Sequence, residues 1–321
     1  MNRLLGHAWE HNPFYRRKWT AAGVRQRRLS RLEDLADFPL TMRVELVADQ
    51  TASPPLGSNR ARPLAEFRRI HRSSGTTRTP VFWGDTARTW RWILEGSERL
   101  FQLAGVQPAD RLLFAMGFGP SSGPWIIYEG AHRLGCLCFT SAAVEVGEQR
   151  RWLEQFRPSI LVGKPSALLA LAAAGPGAGR RPASPGVRML ILTGEPNFES
   201  LRGRLERAWG AECFDRYGLT EAGSVAGECP AHPGGMHLLD EAFIAESIDP
   251  LTGRPVANGA PGELVLTTLG RVDRPIIRYR TGDRVRLVRD YACACGRSGT
   301  LLLGGVRRLG ADETPKARRK P

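Results

Sequence analysis

The sequence predicts an α/β fold, and three observations along its 321 residues predict it. The apolar runs DRLLFAMGF, CLCFTS, SILVGK and RMLILTGE read as short buried strands. Helical patterns such as EQRRWLEQF, SALLALAAA and FESLRGRLERAWG fall between them. Past Tyr217 the helices fade, and GELVLTTL, PIIRYRTG and DRVRLV read as strands set off by Gly and Pro turns. Strand–helix alternation followed by strands alone means a largely parallel sheet flanked by helices, then a β-rich subdomain.

Taken in order, residues 1–60 are expected to be helical and loop-rich, with EDLADFPLTMRVELVADQ forming a helix, a proline break and a second short helix. FRRIHRSS is strand-like, and DTARTWRWILEGSERLFQLAGV is a long amphipathic helix. The expected division is a helical segment at 1–60, an α/β core at 61–216, a β-rich subdomain at 217–303, and a tail at 304–321. The final GADETPKARRKP is polar, charged and without apolar periodicity, the composition of a disordered end.

Composition bounds the function. The start, MNRLLGHAWEHNPFYRRKW, lacks the apolar core of a signal peptide, and no later run approaches the roughly 20 apolar residues of a membrane span. A cytoplasmic protein without membrane partners is expected. The net charge of +14 raises the question of nucleic acid, but only Lys18, Lys164, Lys316 and Lys320 are lysines, while arginine is scattered through every segment. With no recognisable binding module beside the charge, no nucleic-acid partner is expected.

One loop stands out. HRSSGTTRTP places Ser73, Ser74, Gly75, Thr76 and Thr77 in succession before Pro80. Such residues dominate ordinary turns, and they also supply the donors of a phosphate cradle. The loop is not a Walker A motif, because no Gly-Lys-Ser/Thr ending follows.

Three further stretches give the loop a context: LILTGEPNFES (190–200), DRYGLTEAG (215–223) and IIRYRTGDRVRL (276–287). In this order and spacing the four stretches resemble the adenylate-forming superfamily, and most closely the phenylacetate-CoA ligase family. NPFYRRKW, FPLTMRVEL, VAGECPAHPGGMHLLDE, ESIDPLTGRPVANGAPGELVLTTL and CACGR extend the likeness to about residue 300. The resemblance implies the large N-terminal domain of that fold and attack of a carboxylate on the α-phosphate of ATP, giving an acyl-adenylate and pyrophosphate. It implies phosphate donors at Ser73, Ser74, Gly75, Thr76 and Thr77, and an adenine-lining turn at Gly194, Glu195 and Pro196. Tyr217 would stack on adenine, Thr220 would bond the α-phosphate, Glu221 would hold Mg²⁺, and Asp283 would accept the ribose hydroxyls.

The departures also carry information. Arg78 and Thr79 stand where the family's loop continues Gly-Lys before Pro80. In MGFGPSSGPWIIYEGAHRLG the acid pocket would be lined by Phe118, Gly119, Trp125 and Tyr128, with bulky residues replacing small ones, so phenylacetate itself is not assumed. Trp125 and Ile126 could equally be core residues of a helix.

Cys136, Cys138 and Cys213 lie in apolar contexts that suit inert buried thiols. Cys229, His237, Cys293 and Cys295 resemble the structural zinc site of this branch, a closed set of three thiolates and one imidazole, with His232 as an alternative ligand.

Family members continue through a Gly-Arg-x-Asp-Asp hinge into a lid domain carrying the lysine that assists adenylation. Here GGVRRLGADETPKARRKP is a blurred hinge, and the lid is expected to be absent from this chain. The expected partners are a carboxylic acid, probed first as an aryl acid, and a lid domain or carrier protein acting in trans, with CoA as a possible acceptor. Two alternatives stand beside the ligase reading: an acyl-protein synthetase relative, and a degenerate nucleotide-binding homologue without catalysis.

Overall fold

Helices α1 (Asn2–His11) and α2 (Pro13–Ala21) open the chain, and the residue between them explains the break. Asn12 caps α2 by accepting a hydrogen bond from the Tyr15 N–H at 3.2 Å, and Pro13 sits at the first helical position. The computed structural model describes residues 1–73, 79–174, 184, 186–195 and 199–310. A 3-10 turn at Leu32–Asp37 and helix α3 (Arg43–Ala52) follow, with the proline break between them as expected. Strands β1 (Phe67–Arg72) and β2 (Phe82–Thr86) pair as a separate antiparallel ribbon.

Helix α4 (Ala87–Leu103) starts at Thr86, whose hydroxyl accepts from the Thr89 N–H while the Thr89 hydroxyl accepts from the Thr86 N–H. From there strands and helices alternate: β3 (Arg111–Ala115), α5 (Ser122–Leu134), β4 (Leu137–Thr140), α6 (Val146–Phe156), β5 (Ile160–Gly163), α7 (Pro165–Ala173), β6 (Met189–Leu192), α8 (Glu199–Trp209) and β7 (Glu212–Leu219). The chain then runs through β8 (Gly223–Glu228), β9 (Gly235–Leu238), β10 (Phe243–Ile248), β11 (Pro261–Thr268), β12 (Tyr279–Ala292), β13 (Ser298–Leu303) and a short β14 (Arg307–Arg308).

These strands join one sheet, in the order β10-β11-β12-β13-β9-β8-β7-β6-β5-β3-β4, with β14 added beside β12. β7 is parallel to β6 on one side and antiparallel to β8 on the other. The change of grain expected at residue 217 therefore falls inside a strand, where the sheet switches from parallel to antiparallel pairing.

The parallel half is covered on both faces, which is why its strands read as continuous apolar runs. Leu112, Phe114, Ile160, Val162, Met189 and Ile191 pack with Phe101 of α4 and Ile127 and Ala131 of α5. The intervening Leu113, Leu161, Leu190 and Leu192 face the other way, onto Leu168 of α7 and Leu205 and Trp209 of α8. Each strand thus serves two cores by its two-residue period.

The N-terminal segment packs on the antiparallel half. Asn12 donates to Asn59, which donates in turn to the Pro275 carbonyl at 3.1 Å, and the Tyr15 hydroxyl accepts from the Ile277 N–H at 2.8 Å. Thr41 bridges to Tyr279 and bonds the Ile277 and Arg278 carbonyls. This use of the backbone is why PIIRYRTG is not a strand from its first residue. The Pro275 carbonyl, both Ile277 backbone groups and the Arg278 carbonyl bond the N-terminal segment, while Ile276 bonds Thr268; Arg278 adopts φ +48°, and regular pairing starts at Tyr279. The Arg278 guanidinium stabilises that unusual conformation by bonding Glu246 and the Ala36 and Phe38 carbonyls.

A second buried arginine ties the ribbon to the sheet. Arg271 and Asp85 are each about 1% exposed and form a two-pronged pair at 2.9 and 2.6 Å, while Nη1 of Arg271 donates to the Thr220 carbonyl at 2.7 Å. No helix among the described residues is long and apolar enough to cross a membrane.

Candidate active site

The carboxyl ends of β3, β5, β6 and β7 open onto a cavity of about 1110 Å³, the edge of a parallel sheet where ligands ordinarily bind. Ser73, Gly119, Gly194, Glu195, Tyr217, Thr220, Glu221 and Asp283 all line it. Residues separated by more than 200 positions in sequence thus share one wall. Ser74, Gly75, Thr76, Thr77 and Pro196 lie outside the described residues.

At one end of the cavity Ser73 is held by β2. Its N–H donates to the Val81 carbonyl and its hydroxyl accepts from the Val81 N–H at 3.1 Å. Arg43, the first residue of α3, reaches across, donating to the Ser73 hydroxyl at 3.0 Å and to the Glu221 carboxylate at 3.2 Å. Burial pushes the Glu221 carboxyl above its ordinary range, and the Arg43 guanidinium opposes that shift. Thr220 is fixed through its carbonyl by Arg271. The Thr220–Glu221 turn is therefore held from two sides by cations, one on the backbone and one on the carboxylate.

Asp283, in β12, accepts from the Tyr217 hydroxyl at 2.7 Å on one oxygen and from Arg308 at 2.8 Å on the other. Burial, then the negative charge of Asp283, holds the Tyr217 phenol well above its ordinary value, so it remains a donor. Each carboxylate oxygen has a second lone pair, so both can still accept a further hydroxyl. Gly194 follows β6 with φ +82°, a turn that a residue with a Cβ would strain. Beside it the Glu195 carboxylate accepts from the N–H of Ser166 at 3.1 Å and from its hydroxyl, at the start of α7, so Glu195 is braced rather than free.

The residues expected around an acid divide. Gly119 lines the cavity, and a Cβ there would meet no atom within 4 Å. Phe118, Trp125 and Tyr128 are not in the cavity wall. Phe118 packs against Trp125 and Tyr128 with ring centroids 5.0 and 5.2 Å apart, Trp125 donates to the Gly119 carbonyl, and Tyr128 donates to the Cys138 carbonyl. The phase of α5 turns Ile126 and Ile127 toward the cavity instead. Sequence reasoning also passed over Arg43, Arg216 and Arg308, which line the same cavity. Arg43 had a signal, its place within FPLTMRVEL.

Away from the cavity, Cys229, His237, Cys293 and Cys295 converge, their ligand atoms all within 4.8 Å of one another. Cys229 and Cys293 sulfurs are 3.7 Å apart, and the Cys295 sulfur is 3.6 Å from His237 Nε2. A tetrahedron with metal–sulfur bonds of about 2.3 Å has edges of roughly 3.8 Å, so the donor set fits a zinc ion. The turns that bring it together are the one leaving β8 and the one between β12 and β13, where Gly296 takes φ +85°. His232 is outside the cluster, its ring 5.5 Å from that of Tyr291. Cys136, Cys138 and Cys213 carry free thiols, and burial pushes Cys136 and Cys138 up to about 11 and about 12, out of the reactive range.

Comparison with known proteins gives three concordant results. A family described as AMP-binding enzyme matches residues 91–270. Phenylacetate-coenzyme A ligase of Aromatoleum evansii is 33% identical over 309 residues, covering 92% of this chain and 68% of the relative. The ligase of the same name from Thermus thermophilus is 33% identical over 300 residues, covering 93% and 66%. A solved structure of 2-hydroxyisobutyryl-CoA ligase with 2-HIB-AMP and CoA superposes with a TM-score of 0.89 at 30% identity, covering 97% of this chain and 67% of that one. The chain spans about two thirds of the length of these relatives.

Proposed function

The chain belongs to the AMP-binding enzyme family, and within it to the phenylacetate-CoA ligase group; from that premise we propose that it activates a carboxylic acid with ATP as an acyl-adenylate. The observation that carries the proposal is the meeting of Ser73, Gly194, Tyr217, Thr220, Glu221 and Asp283 around one cavity. In the reaction a carboxylate oxygen of the acid forms a bond to the α-phosphorus of ATP. The bond from that phosphorus to the oxygen bridging to the β-phosphate breaks, and pyrophosphate leaves with the electron pair.

On this reading Tyr217 and the Gly194 turn flank the adenine, Asp283 accepts the ribose hydroxyls, and the Ser73 loop donates to the outer phosphates. Thr220 donates to the α-phosphate. Glu221 would hold Mg²⁺, which offsets phosphate charge when bound. Arg43 stands between Ser73 and Glu221, where phosphate charge would arrive, and is positioned to exchange a carboxylate partner for a phosphate one. Cys229, His237, Cys293 and Cys295 would hold a structural zinc. CoA is the acceptor that the relatives' names suggest. Neither the acyl-protein synthetase reading nor the degenerate one is favoured by the comparisons.

Acid-dependent ATP–pyrophosphate exchange across a carboxylic-acid panel tests the proposal. Asp283→Ala should weaken ATP binding generally, and Glu221→Gln should weaken only its Mg²⁺-dependent part, each by roughly 1–3 kcal/mol for a lost charge-assisted contact. Folded wild-type protein that binds no ATP by calorimetry would sink the reading.

A second expectation concerns the lid. Adenylation in the family draws on a lysine of a closing domain, and one preorganised charged donor is worth on the order of 10²–10³ in rate. Exchange by these 321 residues alone should therefore rise by about that factor when a relative's C-terminal domain is supplied, fused or in trans. An unchanged rate on addition, with full thioester formation by the 321 residues alone, would show that no such domain is needed.

A further inference from the structure

Arg216 is a buried cation without a counterion. It lies in β7, is 9% exposed, and lines the cavity. The guanidinium stacks on Phe101 at 4.3 Å, and its Nη2 donates to the Ser97 hydroxyl at 2.9 Å and the Ser97 carbonyl at 3.3 Å. Nη1 is buried and has no hydrogen-bond partner. Arg43, Arg280 and Arg308, which line the same cavity, are each paired with a carboxylate. Among the described residues Arg216 has no such pair. Burial unopposed by any acidic group lowers its pKa to about 9. A buried guanidinium without a counterion is costly to the fold, and groups whose titration is shifted by burial cluster at functional sites.

The sheet register shows where that use would be. Phe214 and Arg216 share the face of β7 that meets α4, so Arg216 continues the row that packs on Phe101. Leu192 pairs with Asp215 and with Gly163, so the next residues in register are Lys164, Thr193 and Arg216, side by side at the carboxyl edge. All three line the cavity. By the same alternation Lys164 follows Ile160 and Val162, which face α5. The Lys164 ammonium has no hydrogen-bond or ion-pair partner among the described residues. Across from this row stands α5, which contributes Ile126, Ile127 and Ser122, and the Ser122 hydroxyl is buried and unpartnered.

We propose that Arg216, with Lys164 nearer the mouth, receives a second anionic group of the acid, so that the preferred substrate is a dicarboxylic acid rather than a simple monocarboxylic one. The proposal rests on the adenylation reading for which carboxyl reacts. The distal carboxylate pairs with the Arg216 guanidinium at the cavity wall and supplies the counterion that the protein lacks. Ile126 and Ile127 close over the carbon chain between the two carboxyls.

Calorimetry compares matched acids, 4-carboxyphenylacetate against phenylacetate and glutarate against pentanoate, with and without AMP. The dicarboxylate of at least one pair should bind wild type roughly ten- to a hundredfold more tightly, as a charge-assisted contact in a desolvated site would. Arg216→Met should erase that preference while keeping or raising thermal stability, because a methionine stem still packs on Phe101 and the unpaired charge is gone. Arg216→Lys should retain part of the preference, and Lys164→Met should reduce it. Lys164 makes no side-chain cap to α7, so that substitution removes no capping hydrogen bond.

Wild type that binds both members of every pair equally, or binds neither, overturns the proposal without need of a variant. A preference that survives Arg216→Met overturns the assignment to Arg216. Acid binding is read directly, so its outcome is separable from the adenylation reading. Dicarboxylate preference without pyrophosphate exchange counts against adenylation alone, and exchange without that preference counts against this proposal alone.

Discussion

Replacing Arg271 by Met should lower the unfolding free energy by about 3–5 kcal/mol, the usual effect of removing one partner of a buried ion pair. The reason is the environment of Asp85. Arg271 and Asp85 are both about 1% exposed, and without the guanidinium the carboxylate keeps, among the described residues, the Thr89 hydroxyl as its donor, at 3.2 Å. Urea unfolding measures the loss. The double variant Asp85→Leu with Arg271→Met should recover much of it, since an apolar pair removes both buried charges. A second readout is functional. Arg271 also holds the Thr220 carbonyl, so Arg271→Met should weaken the Mg²⁺-dependent part of ATP binding even where the protein remains folded. Unfolding curves that superpose on wild type would show that Asp85 finds another partner.

Loss of zinc should have an effect of similar or larger size. Metal analysis should find about one zinc per chain, and Cys295→Ser should lower both the zinc content and the melting temperature, the latter by on the order of 10 °C. The four side chains come from the turn after β8, from β9 and from the β12–β13 turn, so a bound metal's binding energy would feed into the antiparallel half of the sheet. Burial holds the Cys229 thiol up at about 12 when no cation is near, so a bound metal would have to displace its proton. Protein purified free of metal, with the same melting temperature before and after zinc is added, would refute the site.

The parallel half was legible because its strands each serve two cores. A strand such as Met189–Leu192, buried on both faces, must be written in apolar residues, and nothing else in a chain of this composition looks the same. The residues expected beside a nucleotide were picked out by ordered motifs, and the cavity brings Ser73, Tyr217, Glu221 and Asp283 together. Of the residues expected around an acid, only Gly119 lines the cavity. Trp125 and Tyr128 stand about 100° in helical phase from Ile126 and Ile127, which line the cavity, a difference that size and aromaticity do not reveal. The arginines were harder still. In a chain with 46 Lys and Arg residues a single arginine carries little information, and Arg43, Arg216 and Arg271 are set apart only by what surrounds them after folding. PIIRYRTG shows a related limit, because the partners of Pro275 and Ile277 are more than 200 positions earlier in the chain.

Those same contacts constrain the order in which the protein can be made. Tyr15 and Ile277 are 262 positions apart, and at ribosomal rates of about 5–20 residues per second roughly 13–50 s separate their emergence. Until then α1 and α2 have no docking site for Trp9, Tyr15 and Trp19, three aromatic rings that pack against one another in the finished core. The parallel half, whose neighbours in the sheet are close in sequence, can assemble first around β3, β5 and β6. Helices α1 and α2, made long before β12, are thus among the last elements to be secured. A nascent chain stalled before residue 277 would expose that aromatic cluster to chaperones and to aggregation, whereas one released just after it could close.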